Sequence, residues 1–279
     1  MSVLERLWDR VSGSQPLPPA WVVGLTGLLA LGVVLDSRSW RLTGKVITIA
    51  HEGGHALVSV LSGRRLDGIR LHSDSSGVTY SRGRRTGPGL VLTAAAGYVM
   101  PSLLGAGAAW LLAERHLTAM LWLALVLLAA TFLAIRNLFG ALAVLVTAGG
   151  VFAVSYYATA AVQAGFAYLA AWFLLFGGVR PVLELARGSW SSRGSRGSRG
   201  SGGSGGSGGS MGRRQRWTRG SDADQLARLT GAPAGLWITL FLLVAFAALV
   251  IGAILLVPPG WHLGVHPRPL GLPPRPLVR

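Results

Sequence analysis

Long apolar blocks constrain the fold of this chain more than any other feature. Seven of them are separated by more polar segments, and they lie at residues 20–35, 43–61, 89–113, 117–135, 138–158, 160–178 and 235–257. Several exceed the roughly 18 uncharged residues that a helix needs to cross a bilayer. Lipid offers the backbone no hydrogen-bonding partners, so each block is expected to be helical. The sequence therefore predicts an all-α polytopic membrane protein with about seven transmembrane helices, rather than a soluble protein with a large apolar core.

The charge of the chain is strongly basic, at a formal +16 over 279 residues. Many arginines lie between apolar blocks, in residues 63–88 and 180–220. This distribution favours a positive-inside topology and attraction to an anionic lipid bilayer over nucleic-acid binding, which needs a basic face on a folded soluble module. It predicts a multi-pass protein of the cell membrane, with the N-terminus and the linker in the cytoplasm and the C-terminus outside.

Composition divides the chain into five segments. Residues 1–19 form a charged cytoplasmic lead, and residues 20–187 form the membrane-embedded core. Residues 188–220 are rich in Gly, Ser and Arg and bury too little apolar surface to become ordered, so a flexible linker is expected. An aspartate motif and the last apolar block occupy residues 221–257, and residues 258–279 form a proline-rich tail.

A short segment between the second and third blocks has the periodicity of β-strands. In residues 66–82, Ile69, Leu71, Val78 and Tyr80 alternate with polar residues around a Ser-Asp-Ser-Ser-Gly turn. This pattern is typical of a β-hairpin. Because the segment follows the second block directly, we expect a small hairpin beside that helix at the membrane surface.

The second block carries the residues of a metal site. On the helix expected over residues 43–62, His51 and His55 are four positions apart and face the same way. This spacing lets two imidazoles share one zinc ion, and the intervening Glu52 lies beside the metal-bound water as a general base. Such residues within a membrane span are costly to bury and indicate function. The chain has no cysteine, so thiolate ligands are excluded.

Three further polar or small residues are candidates for substrate contacts. Gly53 and Gly54 each cost about 1 kcal/mol in a helix interior relative to alanine. They serve either close packing of another helix or room for an extended substrate backbone. Asn137 lies at the boundary of two blocks. It is placed either to bind a substrate strand or stabilise an oxyanion, or to serve as a helix cap or turn residue.

A third protein ligand is required, because catalytic zinc usually has three together with a water molecule. Asp222 and Asp224 are the best candidates, since they directly precede the last block on the predicted cytoplasmic side. Asp224 also fits a capping box with Ser221, so Asp222 is the preferred ligand and Asp224 the alternative. His72 and His116 are weaker candidates, because isolated loop histidines are usually solvated.

These features together resemble the site-2 protease family of intramembrane zinc metalloproteases. The resemblance rests on the His-Glu-Gly-Gly-His motif of residues 51–55 within an apolar span, followed by a surface hairpin. The M50B-like branch common in actinobacteria has stretches similar to residues 94–105, 136–140 and 221–233. The resemblance covers most of residues 43–257.

The resemblance implies hydrolysis of peptide bonds in membrane-anchored protein substrates, within or next to the bilayer, with one zinc ion per chain. The family's third ligand is an aspartate in an Asp-Gly motif. Ser221-Asp222-Ala223 replaces that motif here, and Asp222 is the position carried across. Two other functions stay open: a non-catalytic zinc-binding membrane scaffold or sensor, and a transporter. An intact Glu52 argues against the first, and no inverted repeat supports the second.

Overall fold

The structure, a computed structural model, describes residues 13–197 and 220–257, and this part of the chain is mostly helical. Its elements are α1 (Ala20–Leu35), α2 (Ser37–Leu61), β1 (Arg65–Leu71), β2 (Gly77–Arg82), α3 (Pro88–Ala113), α4 (Leu117–Ala134), α5 (Leu138–Tyr157), α6 (Ala160–Gly197), α7 (Asp222–Thr230) and α8 (Ala234–Leu256). The first ten positions of the predicted linker continue α6. The rest of the linker up to residue 219, most of the N-terminal lead and the proline-rich tail lie outside the described residues.

Five of the described helices are long and apolar enough to cross a membrane, namely α3, α4, α5, α6 and α8. Helices α1 and α2 pass the same test only as a pair, bent by 101°, which gives up to six spans. The expectation of about seven spans is therefore not confirmed. The physical reasons are that α1 has only 16 residues, fewer than a separate span needs, and that α2 includes Arg38, Arg41 and Lys45, which make it too polar.

Side chains fix the bend between α1 and α2. The carboxylate of Asp36 accepts a hydrogen bond from the Ser39 backbone at 2.8 Å and caps the start of α2. At the end of α1, where carbonyls run out of helical partners, Arg180 of α6 donates to the Val34 carbonyl. The Arg180 guanidinium also lies 4.6 Å from the centre of the Trp40 ring. These contacts hold α2 at a defined angle to the bundle.

Helix α3 is the centre of the bundle and packs against α2, α6 and α8. Small residues permit the close approach of α3 and α6. A Cβ atom at Gly105 would lie 2.9 Å from the Leu175 backbone nitrogen, and one at Gly178 would overlap the Ser102 hydroxyl. Such small-residue contacts are typical of helices that pack within membranes.

The predicted hairpin is confirmed as a two-stranded antiparallel sheet of β1 and β2. One face of the hairpin, called its inner face here, is buried against the helices. Ile69 and Leu71 join an apolar cluster with residues of α2 and α5, including Ile49 and Val144. The segment between α4 and α5 adds to β1, because the Arg136 backbone donates to the Ile69 carbonyl at 2.9 Å. The hairpin is thus wedged between α2 and the α4–α5 junction.

Candidate metal centre

Helix α2 brings the two predicted histidines together. His51 and His55 lie one helical turn apart, and their Nε2 atoms are 3.2 Å from each other. His55 and the intervening Glu52 are buried, with 8% and 4% of their surfaces exposed. The helical spacing that the sequence predicted therefore produces a convergent pair of ring nitrogens beside a buried carboxylate.

Helix α7 supplies the third group. Asp222 Oδ2 lies 3.1 Å from His55 Nε2 and 3.3 Å from His51 Nε2. The short helix is held in place because Ala223 and Leu226 are fully buried in a cluster with residues of α3, α6 and α8, among them Phe241. This packing places the Asp222 carboxylate beside His51 and His55, which are far away in the sequence.

The three groups have a geometry that fits a tetrahedral metal ion. Ligand atoms about 2.0–2.1 Å from a zinc ion lie about 3.3 Å from one another in a tetrahedron. The observed separations of 3.1–3.3 Å match this value. Two imidazoles and a carboxylate are also an established ligand set for catalytic zinc. His51, His55 and Asp222 can therefore hold a metal ion.

The hydrogen bonds and charges around His55 and Asp222 favour the forms of these side chains that bind a cation. His55 Nδ1 lies 2.6 Å from the Thr93 carbonyl oxygen, so we assign the ring proton to Nδ1 and the free lone pair to Nε2. On α7, burial raises the pKa of the Asp222 carboxyl, but His51 and His55, when their Nε2 atoms also carry protons, outweigh burial and hold that pKa well below its usual range. A positive charge between the three groups therefore favours the carboxylate form of Asp222, whether protons on Nε2 or a metal cation supply it.

Two neighbouring residues of α3 shape the floor of the site. A Cβ atom at Gly97 would lie 2.6 Å from His51 Nε2 and would overlap His55 Nε2. Only glycine leaves room for both imidazoles here. The next residue, Tyr98, sets its ring edge-on to His51 at 4.9 Å and stacks on Phe241 at 5.3 Å. This aromatic stack links the metal helix to α8.

The inner face of the hairpin covers Glu52. The Thr79 hydroxyl donates to Glu52 Oε2 at 2.6 Å and lies 3.2 Å from the Glu52 carbonyl oxygen. A Cβ atom at Gly77 would lie only 2.5 Å from Glu52 Cγ and 2.6 Å from Oε1. Thr79 orients one carboxylate oxygen, and Gly77 lets the strand approach the other. Sequence reasoning missed both, although the strand alternation puts them on one face.

The structure gives Asp224 the role that its capping pattern predicts. The Ser221 hydroxyl donates to Asp224 Oδ2 at 2.8 Å, and the Asp224 backbone nitrogen donates back to Ser221 Oγ at 3.2 Å. Ser221 is thus the N-cap of α7, and Asp224 accepts from the Ser221 hydroxyl instead of the Ser221 backbone N–H that a full capping box would use. Among the described residues, Asp224, His72 and His116 are not part of the group that could hold a metal.

Asn137 engages the hairpin. Its Nδ2 donates to the Leu71 carbonyl at 2.7 Å, and its Oδ1 accepts from the Leu71 backbone nitrogen at 3.1 Å. Both ends of the amide therefore hold the end of β1 beside the α4–α5 junction. The predicted role of Asn137 in binding substrate or an oxyanion stays a prediction.

The two glycines of the motif have different surroundings. A Cβ atom at Gly54 would lie 2.5 Å from Met100 Cβ and 3.1 Å from the Ala96 carbonyl oxygen, so Gly54 permits close packing of α2 on α3. At Gly53 the nearest atom to such a Cβ is Thr131 Oγ1, at an ordinary 3.4 Å. A substrate contact at either glycine stays a prediction.

Comparison with models of known protein families gives a match over most of the chain. A family model described as Peptidase M50B-like matches residues 24–252. The matched region runs from α1 into α8 and includes the motif of α2, the hairpin and Asp222. No curated protein and no solved structure matches the chain.

Proposed function

The chain belongs to the Peptidase M50B-like family, and on this basis we propose that it is an intramembrane zinc metalloprotease. It hydrolyses peptide bonds of membrane-anchored protein substrates in or near the bilayer. One observation carries the proposal: His51 and His55 converge to within 3.3 Å of Asp222, which is distant in the sequence, beside the buried Glu52. A purely structural metal site has no use for such a base.

The residues of the site divide the chemistry between them. His51, His55 and Asp222 would hold one zinc ion, which when bound would lower the pKa of water and polarise the scissile carbonyl. Glu52 accepts the proton of the attacking water and passes it to the leaving amine. Thr79 fixes Glu52 Oε2 through its 2.6 Å hydrogen bond, which leaves Oε1 to carry the proton.

The hairpin offers a way to present the substrate. A helical peptide hides its carbonyls in hydrogen bonds, so the substrate must be extended at the cleaved bond. One edge of β2 pairs with β1, and in the described part of the chain no strand pairs with its other edge. An extended substrate that adds to this free edge would lie next to Glu52, because Thr79 and Gly77 of β2 contact that side chain.

The arginine distribution supports a cytoplasmic position for the hairpin and the linker. An even number of candidate spans, α3 to α6, separates these two arginine-rich regions. Gln15, which precedes α1, donates its backbone N–H to the Arg115 carbonyl at 3.0 Å, at the end of α3 away from the hairpin. We therefore infer that residue 15 lies on the side of the membrane opposite to the two arginine-rich regions, rather than in the cytoplasm as the sequence suggested. An accessibility assay with tags in residues 83–87 and 198–219 would test the shared side of the two loops.

The test of the proposed activity is the Glu52→Gln variant. We expect it to retain zinc and to lose cleavage of a membrane-anchored reporter in detergent or liposomes, because an amide cannot accept the proton. Gln keeps the shape of Glu, so the metal ligands stay in place. Undiminished turnover would refute the assigned role of Glu52, and zinc binding without cleavage in the wild type would favour a scaffold or sensor.

A further inference from the structure

A basic pocket lies on the outer face of the hairpin. Its volume is about 440 Å³, and it is lined by Asp67, Gly68, Arg70, Tyr80, Arg82 and Arg136. Side chains alternate across a strand, so Tyr80 points away from the face on which Thr79 contacts Glu52. Three arginines against one aspartate leave an excess of positive charge. The pocket is therefore separate from the metal centre and suited to an anion.

Backbone carbonyls position the Arg136 guanidinium at the edge of this pocket. Its Nη1 donates to the carbonyls of Leu133 and Ile135 at 2.9 and 3.2 Å, and its Nε donates to the Asp67 carbonyl at 3.3 Å. Within residues 13–197 and 220–257, no hydrogen bond involves Arg136 Nη2. The pocket thus has an ordered guanidinium with N–H groups left for a ligand.

The other two arginines also keep donors available. Arg82 Nε donates to both carboxylate oxygens of Asp67, at 2.7 and 2.9 Å, which leaves its Nη atoms without a partner in the described chain. The Arg70 guanidinium lies 6.0 Å from the centre of the Tyr80 ring and hydrogen-bonds to no described residue. Donors from three guanidinium groups therefore surround one pocket, an arrangement that favours phosphate oxygens.

The position of the pocket indicates that such a phosphate would belong to a lipid headgroup. Arg136 lies between α4 and α5, which are both candidate membrane spans. Leu133 and Leu138, on either side of it, are each 75% exposed and thus face lipid. Apolar side chains directly beside a basic pocket mark the boundary between the acyl chains and the headgroups.

We propose that this pocket binds the phosphate of an anionic phospholipid headgroup, with the acyl chains along Leu133 and Leu138. The strand that forms the pocket is closely fitted to Arg136. Gly68 has a φ of 147°, and a Cβ atom there would overlap the Arg136 side chain. Because the opposite face of the same hairpin covers Glu52, a bound lipid also stabilises the strand that borders the metal centre.

The test uses the full chain in a neutral detergent. Short-chain phosphatidylglycerol and phosphatidylcholine of equal chain length are titrated, and bound lipid is counted by native mass spectrometry. Phosphatidylglycerol should bind the wild type more tightly, and Arg70→Gln should weaken that binding about tenfold, as expected for the loss of charge-assisted hydrogen bonds. Arg70→Lys, which keeps the charge but loses the planar fork, should fall between the two.

Arg85→Gln is the matched control, because it removes an equal charge from the loop that follows the hairpin and Arg85 does not line the pocket. It should bind phosphatidylglycerol as the wild type does. Equal losses in Arg70→Gln and Arg85→Gln would overturn the proposal in favour of diffuse charge attraction. Equal binding of the two lipids would also overturn it, and glycerol 3-phosphate binding as tightly as the lipid would assign the pocket to a soluble phosphate. The readout is independent of proteolysis.

Discussion

Replacing Gly97 with alanine would place a methyl group against both metal-binding imidazoles. The added Cβ would lie 2.6 Å from His51 Nε2 and closer still to His55 Nε2. An ordinary contact needs about 3.5 Å, so the rings would have to move by about 1 Å. Metal sites tolerate shifts of about 0.2 Å in their ligand distances. We therefore expect zinc affinity to fall at least about 100-fold, at the upper end of the losses seen when groups supporting the ligands are changed.

The assay is a zinc titration of the purified chain against a competing chelator, with helical content measured on the same samples. Gly107→Ala is the matched control, because it lies on the same helix and a Cβ there would meet no atom within 4 Å. It should bind zinc as the wild type does and melt at an equal or higher temperature, since alanine favours helix over glycine. Unchanged zinc affinity in a folded Gly97→Ala variant would refute the assigned geometry.

Three further predictions concern the hairpin and the metal centre that it covers. Thr79→Val should lower kcat at least about tenfold while zinc content stays unchanged, because Glu52 loses its orienting hydrogen bond. Thr79→Ser should keep the wild-type rate, and equal rates in the two variants would contradict this role of Thr79. Asn137→Ala should destabilise the protein by about 2 kcal/mol in thermal unfolding, since it leaves the Leu71 amide groups unpaired, with Asn137→Asp intermediate. Chelation should lower the melting temperature reversibly, by the equivalent of about 2.7 kcal/mol at a zinc concentration 100 times Kd, and an unchanged midpoint would argue against a folded-state metal site.

Local patterns predicted much of the site. The spacing of His51 and His55 on a helix, and the alternation in residues 66–82, each depend on neighbours within a few positions. The same holds for the capping pattern, which separated Asp224 from Asp222 before any geometry was known. Such features are fixed by the periodicities of helix and strand and by helix-end chemistry.

The remaining features depend on how distant segments pack. Gly97, Thr79 and Gly77 are unremarkable in the sequence, and their roles follow only from the approach of α3 and the hairpin to α2. The bend at Asp36 was missed because two apolar blocks look like two spans, whereas Arg180 from α6 supports a break between them. Tertiary contacts of this kind leave no local periodicity to detect.

The central claim is that His51, His55 and Asp222 hold one zinc ion next to Glu52. Its most direct test is the zinc content of the purified wild type, Asp222→Asn and Asp224→Asn, measured together with cleavage of a membrane-anchored reporter. We expect one zinc per chain and cleavage in the wild type, and loss of both in Asp222→Asn. Asp224→Asn should retain both, because the Asp224 carboxylate hydrogen-bonds to the Ser221 hydroxyl and not to the metal-binding group. Full zinc content in Asp222→Asn, or its loss in a folded Asp224→Asn chain, would contradict the account.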